Sequence, residues 1–380
     1  MSAANLDTTF MARAIQLAKK GQYTTHPNPR VGCVIVKGEQ IIAEGFHQRA
    51  GEPHAEINAL LQLQSKQLTA QGATAYVTLE PCSHTGKTPP CSNALIEADV
   101  ARVVIAMQDP NPQVAGRGIE ALKDAGILVE EGLLKQQARA LNPGFIKRME
   151  QGLPWVRVKL AMSLDGKTAM ASGESQWITG DAARRDVQFM RAKADTILTG
   201  SGTVLADNPS LNIRLSAAEL SIPNKKDLIT DPVNQPTKVI LDTHLKMPLD
   251  AKLLGVKGNT IICTNSQEKR LIKAFQSQGA EVLTFVKGEN NRLPLKSILQ
   301  TLAKRDFNEV HVEAGATLCG ALIQAQLVDE IIIYMAPKLM GGDARSLLNF
   351  SGLDSMADNV NLNISDIRRV GKDWRITATL

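Results

Sequence analysis

Residues 76–91 read YVTLEPCSHTGKTPPC, and residues 53–56 read PHAE. The first stretch opens as a β-strand, Ala75 to Leu79, whose aromatic and β-branched side chains suit a pleated, buried surface. Pro81 ends it and delivers Cys82 just past the strand. Eight residues later comes Cys91, followed by a helical segment from Ser92 to Ala98. His54 and Glu56 stand at the start of a second helical segment, Ala55 to Leu63. One imidazole and two thiolates suit zinc, and three protein ligands leave a fourth position where a water is activated. Glu56, two residues from the ligand histidine, is then placed to take a proton from that water and pass it to a leaving amine. Helix N-termini beside Cys82 favour its thiolate form. The alternative is a closed structural site with His84 or Cys33 as fourth ligand, which has no use for the neighbouring carboxylate.

On both sides of this pair the chain alternates strand and helix. Phe10, Met11, Ala14, Ile15, Leu17 and Ala18 recur at helical spacing, with Asp7 or Thr8 expected as cap and Gly21 as the end. HPNPRVGCVIV (residues 26–36) runs into a strand from Val31 to Val36, and Ile41 to Phe46 returns after a turn at Lys37-Gly38. Arg102 to Ala106 is a further strand and Gly118 to Ala125 a helix. Alternation of this kind predicts a largely parallel sheet with helices packed on it. Asn142-Pro143-Gly144 and Gly152-Leu153-Pro154 interrupt the next segment and set a boundary near residue 150, giving domains 1–149 and 150–380. The second half restarts with a strand from Val156 to Met162. Further strands are expected at Thr196–Thr199, Lys238–Leu241, Thr260–Cys263, Glu281–Phe285, Glu309–Glu313 and Glu330–Tyr334, with a closing hairpin turned at Gly371-Lys372. Residues 216–237 are polar and proline-bearing, a surface excursion.

A chain of 380 residues accommodates two such domains and needs no disulfide staples to fold. Five cysteines are too few and too odd in number for a secreted disulfide scaffold. Net charge is +5, of which residues 1–148 (15 basic against 13 acidic side chains) carry +2, so neither half is a basic nucleic-acid domain. The opening MSAANLDTTFMARAIQLAKKG lacks the continuous apolar core of a signal peptide, and no apolar run reaches the ~20 residues of a membrane span. A cytoplasmic protein with reduced thiols is expected, with neither a nucleic-acid nor a membrane partner.

His-x-Glu followed by Pro-Cys and a second Cys resembles the zinc nucleoside and nucleobase deaminase signature. The long Cys-to-Cys loop, together with HPNPRVGCVIV, GFHQRAGEPHAE and YVTLEPC, is similar to the deaminase half of the bifunctional riboflavin-biosynthesis deaminase–reductases. The resemblance implies an α/β chain with a cytidine-deaminase-like α/β/α domain first and a dihydrofolate-reductase-like α/β domain second. By it, His54, Cys82 and Cys91 hold one zinc, Glu56 is the proton shuttle, and Asn28, His47, His84 and Lys87 contact substrate. Lys87 and His84 make sense as partners of a sugar phosphate.

In the second half no G-x-G-x-x-G follows the first strand, so a Rossmann fingerprint is absent. Two weaker features remain. VEAGATLCGALIQ (residues 312–324) reads strand, glycine turn, helix, an arrangement that offers backbone N–H groups to an anion. TGSGTVLADNPSLNIR (residues 199–214) is a glycine- and serine-rich loop after a strand. These two, with VRVKLAMSLDGKTAMASGESQWIT (residues 156–179), resemble the reductase half of the same family. That resemblance implies NADPH held by Ala161, Trp177, Thr203, Asp207 and the segment Gly315, Ala316, Thr317, Leu318, Cys319, Gly320 and Ala321. It implies substrate held by Ser175, Arg191, Leu211, Arg214 and Glu313, with the two arginines on its phosphate. Cys263 and Cys319, which have no partner pattern, read as small buried hydrophobes. The family resemblance implies deamination of 2,5-diamino-6-ribosylamino-4(3H)-pyrimidinone 5′-phosphate, then reduction of its ribosyl chain to ribityl, in a homo-oligomer. The alternatives are a nucleotide or tRNA-base zinc deaminase fused to a nucleotide-binding domain, and a non-catalytic zinc module fused to a nucleotide sensor.

Overall fold

The computed structural model describes residues 3–83, 90–112, 114–222, 233–288 and 291–380. The chain divides into two compact units, Met1–Leu153 with Ser221–Asn224, and Pro154–Leu220 with Lys225–Leu380. The first runs α1 (Ala3–Ala18), β1 (Gly32–Lys37), β2 (Gln40–Phe46), α2 (Ala55–Ser65), β3 (Thr74–Val77), α3 (Cys91–Glu97), β4 (Arg102–Ile105), α4 (Arg117–Asp124), β5 (Leu128–Glu131), α5 (Lys135–Arg139) and α6 (Pro143–Gln151). Its strands order β2-β1-β3-β4-β5. Only half the pairings are parallel: β1 is antiparallel to both β2 and β3, while β3–β4 and β4–β5 are parallel. The expected largely parallel sheet is thus a mixed one, because the first two strands form a hairpin.

Side-chain alternation along the strands makes two cores. Val34, Val36, Tyr76 and Val104 pack with Met11, Ile15, Phe145 and Ile146 of α1 and α6 on one face. Cys33, Ile35, Val77, Val103 and Ile105 pack with Ala55, Ala59, Leu63, Leu95 and Leu122 of α2, α3 and α4 on the other. Asp7 does not cap α1, which begins at Ala3. Its carboxylate instead accepts from Arg102 at 2.8 and 3.0 Å and from the Tyr76 hydroxyl, and the hydrogen bond from Arg102 holds its pKa low. Asn142-Pro143-Gly144 does not interrupt a helix but starts one. Pro143 occupies the first turn of α6, where its missing N–H costs nothing, and Gly152 closes the helix with φ +68°. The first hairpin turns at Gly38-Glu39, with Gly38 at φ +63°, one residue later than expected.

The second unit runs β6 (Trp155–Ser163), β7 (Lys167–Ala169), α7 (Asp181–Lys193), β8 (Thr196–Gly200), α8 (Ser201–Asp207), β9 (Thr237–Leu241), β10 (Thr260–Thr264), α9 (Lys269–Ser277), β11 (Ala280–Thr284), α10 (Leu295–Ala303), β12 (Glu309–Val312), α11 (Ala316–Gln324), β13 (Glu330–Ala336), β14 (Arg345–Ser346), β15 (Asn363–Val370) and β16 (Asp373–Thr379). Nine strands order β11-β10-β9-β8-β12-β6-β13-β16-β15, parallel from β11 to β13 and closed by the antiparallel β16–β15 hairpin. The central strands are covered on both faces, and β9 and β10 are buried along their whole length. Of residues 216–237, positions 223–232 lie outside the described residues, and Leu220, Ile222 and Val233 beside them are buried rather than exposed.

Two contacts set how closely helices approach the first sheet. A Cβ added at Gly45 would lie 2.2 Å from the Ala55 carbonyl oxygen and 2.5 Å from the Ala59 nitrogen, so glycine alone lets α2 rest against β2. Buried Glu80 accepts four backbone N–H groups, from Asp109, Gly116, Gly118 and Ile119, at 2.9–3.3 Å, tying the loop before α4 and the first turn of that helix to the strand end that carries Cys82. Gly45→Ala is expected to cost about 1–3 kcal/mol by forcing α2 off the sheet. Chemical denaturation of the full chain checks this, and an unchanged midpoint would show that α2 slides freely.

Candidate functional site

Two helices of the first unit begin at the same place. His54 is the residue preceding α2, and Cys91 is the first residue of α3. The Cys91 N–H points at Cys82 Sγ, 3.3 Å away, while the Ser92 N–H and hydroxyl both donate to the Cys82 carbonyl at 3.2 Å. His54 Nδ1 stands 3.6 Å from Cys82 Sγ and 3.3 Å from Cys91 Sγ. The three donor atoms all lie within 4.8 Å of one another. Tetrahedral zinc, with bonds of about 2.3 Å to sulfur and 2.0 Å to nitrogen, separates such donors by about 3.6 Å, so the set fits that ion. The hydrogen bond that Cys91 gives Cys82 favours thiolate at Cys82 and thiol at Cys91. Cys33, the alternative fourth ligand, is buried in β1 outside this cluster, and burial pushes its thiol well up.

Glu56 follows His54 into the first turn of α2 and is only 3 % exposed. Burial raises its carboxyl to about 7, with His54 opposing and Cys82 reinforcing the shift. His47 lies edge-on to His54, ring centroids 5.3 Å apart. Its Nδ1 donates to the Pro53 carbonyl at 3.2 Å, and Asn28 Nδ2 donates to its Nε2 at 3.1 Å. Burial lowers the His47 pKa, so this neutral tautomer is favoured. Asn28 and His47 are therefore gathered beside the ligand cluster, while His84 and Lys87 lie outside the described residues.

In the second unit the strand ends surround a cavity of about 1400 Å³. Single drug-sized ligands occupy roughly 300–1,000 Å³, so this one has room for two molecules side by side. Ala161, Trp177, Thr203, Asp207, Gly315, Ala316, Thr317, Leu318 and Ala321 line it, and so do Ser175, Arg191, Leu211, Arg214 and Glu313. Gly315 precedes α11, and a Cβ there would meet nothing, so its backbone is open for an anion to approach the helix N-terminus. That opening and the cavity's size fit a dinucleotide. Trp177 is 61 % exposed, which removes a core role, and the Arg184 guanidinium covers its ring at 4.4 Å. Cys319 and Gly320 do not line the cavity. Cys319 is fully buried, and a Cβ on Gly320 would sit 2.3 Å from the Asn349 carbonyl oxygen, so both belong to the packed face of α11. Burial also pushes the Cys263 and Cys319 thiols up to about 12.

Arg191 and Glu313 face one another rather than open space. Nε and Nη2 of Arg191 donate to the two carboxylate oxygens at 2.6 and 2.9 Å, and Nη1 donates to the Asn212 carbonyl at 2.9 Å. Burial alone would raise the Glu313 carboxyl, but Arg191 and His311 hold it well below the usual range. Arg191 is thus committed, and Arg214 stands exposed in the same wall. Motif reading missed Lys159, which lines the cavity near Glu313 and Arg191 and whose pKa burial lowers. Its one signal in the sequence is a second basic residue, after Arg157, inside the strand VRVKLAM.

Residues 154–376 match the family described as RibD C-terminal domain, and residues 4–107 match the cytidine and deoxycytidylate deaminase zinc-binding region. Riboflavin biosynthesis protein RibD of Escherichia coli (strain K12) is 50 % identical over 368 residues, 97 % of each chain. The solved structure of Acinetobacter baumannii RibD, form 1, is 45 % identical, covers 99 % of both chains and superposes with a TM-score of 0.88. A diaminohydroxyphosphoribosylaminopyrimidine deaminase/5-amino-6-(5-phosphoribosylamino)uracil reductase from Thermotoga maritima, 33 % identical, covers 99 % of both chains with a TM-score of 0.85. A deaminase-like zinc cluster, a reductase-like cavity and full-length similarity agree, and the chain belongs to the bifunctional riboflavin-biosynthesis deaminase–reductases, which join a zinc-dependent hydrolase to an NADPH-dependent oxidoreductase.

Proposed function

We propose that residues 1–149 deaminate 2,5-diamino-6-ribosylamino-4(3H)-pyrimidinone 5′-phosphate and that residues 150–380 reduce the ribosyl chain of the product to ribityl. The name of the Thermotoga maritima relative supports both substrates. The observation that carries the first step is the convergence of His54, Cys82 and Cys91 beside the buried Glu56. Those three residues would hold zinc, which when bound supplies the Lewis acidity that activates a water. The Glu56 carboxylate takes a proton from that water as the water oxygen bonds to ring C2, and delivers it to the amino group, so that the C2–N bond breaks and ammonia leaves. Asn28 and His47, locked to each other and to Pro53, orient the ring. His84 and Lys87 are assigned to the substrate's phosphate end on resemblance alone.

For the second step NADPH, when bound, would supply the hydride that reduces C1′. Ala161, Trp177, Thr203, Asp207 and the start of α11 hold the cofactor, with Cys319 and Gly320 packing that helix rather than touching it. Ser175, Leu211 and Glu313 position the substrate, Arg191 fixes Glu313, and Arg214 takes the phosphate. The nearly balanced charge supports an enzyme with no nucleic-acid partner. No helix among the described residues is long and apolar enough to cross a membrane. We assign a cytoplasmic location, supported by five unpaired thiols. Exposed Ile364 and Ile367 on the edge strand β15 support a homo-oligomer.

Glu56→Ala is expected to lower ammonia release at least a hundredfold. Zinc per chain by elemental analysis and NADPH oxidation on the deaminated intermediate should both stay at wild-type levels. Deamination that survives this change would remove Glu56 from the mechanism. Arg214→Ala should raise KM for the deaminated intermediate roughly tenfold to a hundredfold, as loss of a charge-assisted contact does, with kcat within a few-fold. Steady-state NADPH oxidation reads both, and an unmoved KM would take the phosphate away from Arg214.

A further inference from the structure

The cavity extends well beyond the Arg191–Glu313 pair, and its far end has its own chemistry. Glu313, Ala314 and Gly315 follow β12, and Lys159 and Ala161 lie on β6. Leu241 and Thr243 lie at the end of β9, two strands from β12 and three from β6. At about 4.8 Å per strand the cavity is therefore about 14 Å wide from β9 to β6, enough for a cofactor drawn out across the sheet. At the β9 end its wall is completed by Arg292, Leu293 and Leu295, from the loop before α10 and its first residue. The Gly288 N–H donates to the Arg292 carbonyl at 2.8 Å, and the neighbouring Leu293 is buried, so the backbone of this arginine is held.

Leu241, Leu293 and Leu295 give the wall apolar surface suited to a base, and Thr243 and Arg292 add a hydroxyl and a guanidinium to the same wall. What this end lacks among its described lining residues is an acid. Enzymes that prefer a nicotinamide cofactor without the 2′-phosphate place a carboxylate on the ribose 2′-hydroxyl, whereas an arginine accommodates the phosphate. Asp242 is the acid at the right place in the chain, and it is turned away. Its two oxygens accept the Lys246 and Met247 N–H groups at 2.9 and 2.7 Å, and it is 1 % exposed. The other acids of the wall are already engaged. Asp207 accepts from Gln176 of the loop after β7, and Glu313 is held by Arg191.

The remaining guanidiniums of the wall are accounted for. Arg184 lies over Trp177 and donates to Thr179 and Asp181. Arg214 is close enough to Arg191 and Glu313 to feel both charges. Arg345 belongs to β14, paired with β7 on the β6 side. We propose that Arg292, with Thr243 beside it, grips the 2′-phosphate of NADPH and sets the cavity's preference for NADPH over NADH. This rests on the reading of the cavity as the nucleotide site.

The test is equilibrium binding of NADPH, NADH and 2′-AMP to the full chain by calorimetry, for wild type, Arg292→Ala and Arg292→Lys, with thermal melting as the fold control. Arg292→Ala should weaken NADPH and 2′-AMP roughly tenfold to a hundredfold, the scale of one charge-assisted contact, and leave NADH within twofold. Arg292→Lys, which keeps charge without the fork, should fall between. Unchanged NADPH affinity in Arg292→Ala overturns the proposal. So does a parallel loss of NADH, which would put the guanidinium on the diphosphate or in the fold. A wild-type chain that melts normally yet binds none of the three nucleotides would sink the cavity assignment itself, a failure separate from that of Arg292.

Discussion

One nitrogen and two sulfurs held within 4.8 Å of one another are the constraint on which the first unit is built. Packing two thiols and an imidazole together is unfavourable unless something stabilises negative sulfur, and the chain supplies this from its backbone. The Cys91 N–H reaches Cys82 Sγ, and Ser92 holds the Cys82 carbonyl with two donors. The strand end must then be fixed, which the four N–H groups on Glu80 accomplish, and α2 must approach closely, which Gly45 permits. Donors fixed in this way lose little freedom when they take a cation, the condition under which a metal site is tight and its geometry definite.

The second unit solves a different problem, keeping charge under control in a large cavity. Arg157 is buried between Glu309 and Glu330, and Arg191 is buried against Glu313. Desolvating such pairs costs about what their attraction returns, but removing one partner leaves an unpaired buried charge at a cost of about 3–5 kcal/mol. They therefore hold β12 and its neighbours in one arrangement more than they stabilise the fold. Pairing Arg191 inward has a functional consequence as well: it leaves Glu313 ionised and fixed at the cavity wall, and leaves anion recognition to cations that are not committed.

Much of this was legible in the residues because the local signals agreed with the tertiary structure. The cluster His54, Glu56, Cys82 and Cys91 came from spacing and side-chain chemistry, and the fully buried strands from short apolar runs such as Thr260–Cys263. The rest depended on partners distant in sequence. Asp7 resembles a helix cap until Arg102 and Tyr76, 95 and 69 positions away, are seen on its carboxylate. Asn142-Pro143-Gly144 has the composition of a break, yet the same proline is well suited to a first helical turn, and local composition cannot choose between the two. Strand β5 was missed because its residues alternate weakly and are mostly exposed. Arg191 and Arg214 read alike as phosphate ligands, and only the position of Glu313 separates a structural arginine from an available one.

Both sites nonetheless obey one rule of open α/β sheets, in which ligands gather beyond the carboxyl ends of parallel strands. In the first unit Cys82 follows β3, and its partners come from helices that begin at that end of the sheet. In the second, the segments after β8, β9 and β12 form the cavity wall, and α11 begins there. The reason is electrostatic and geometric together. A crossover helix must start near the end of the strand before it, so its unpaired N–H groups and the positive end of its dipole face the same space. Thiolate sulfurs and phosphate oxygens are both anions that such a space favours. One chain architecture, used twice, thus offers electropositive backbone in two places, and the side chains differ: two thiols and an imidazole packed tightly suit a metal ion, and a wide wall of glycine, threonine and arginine suits a phosphorylated ligand.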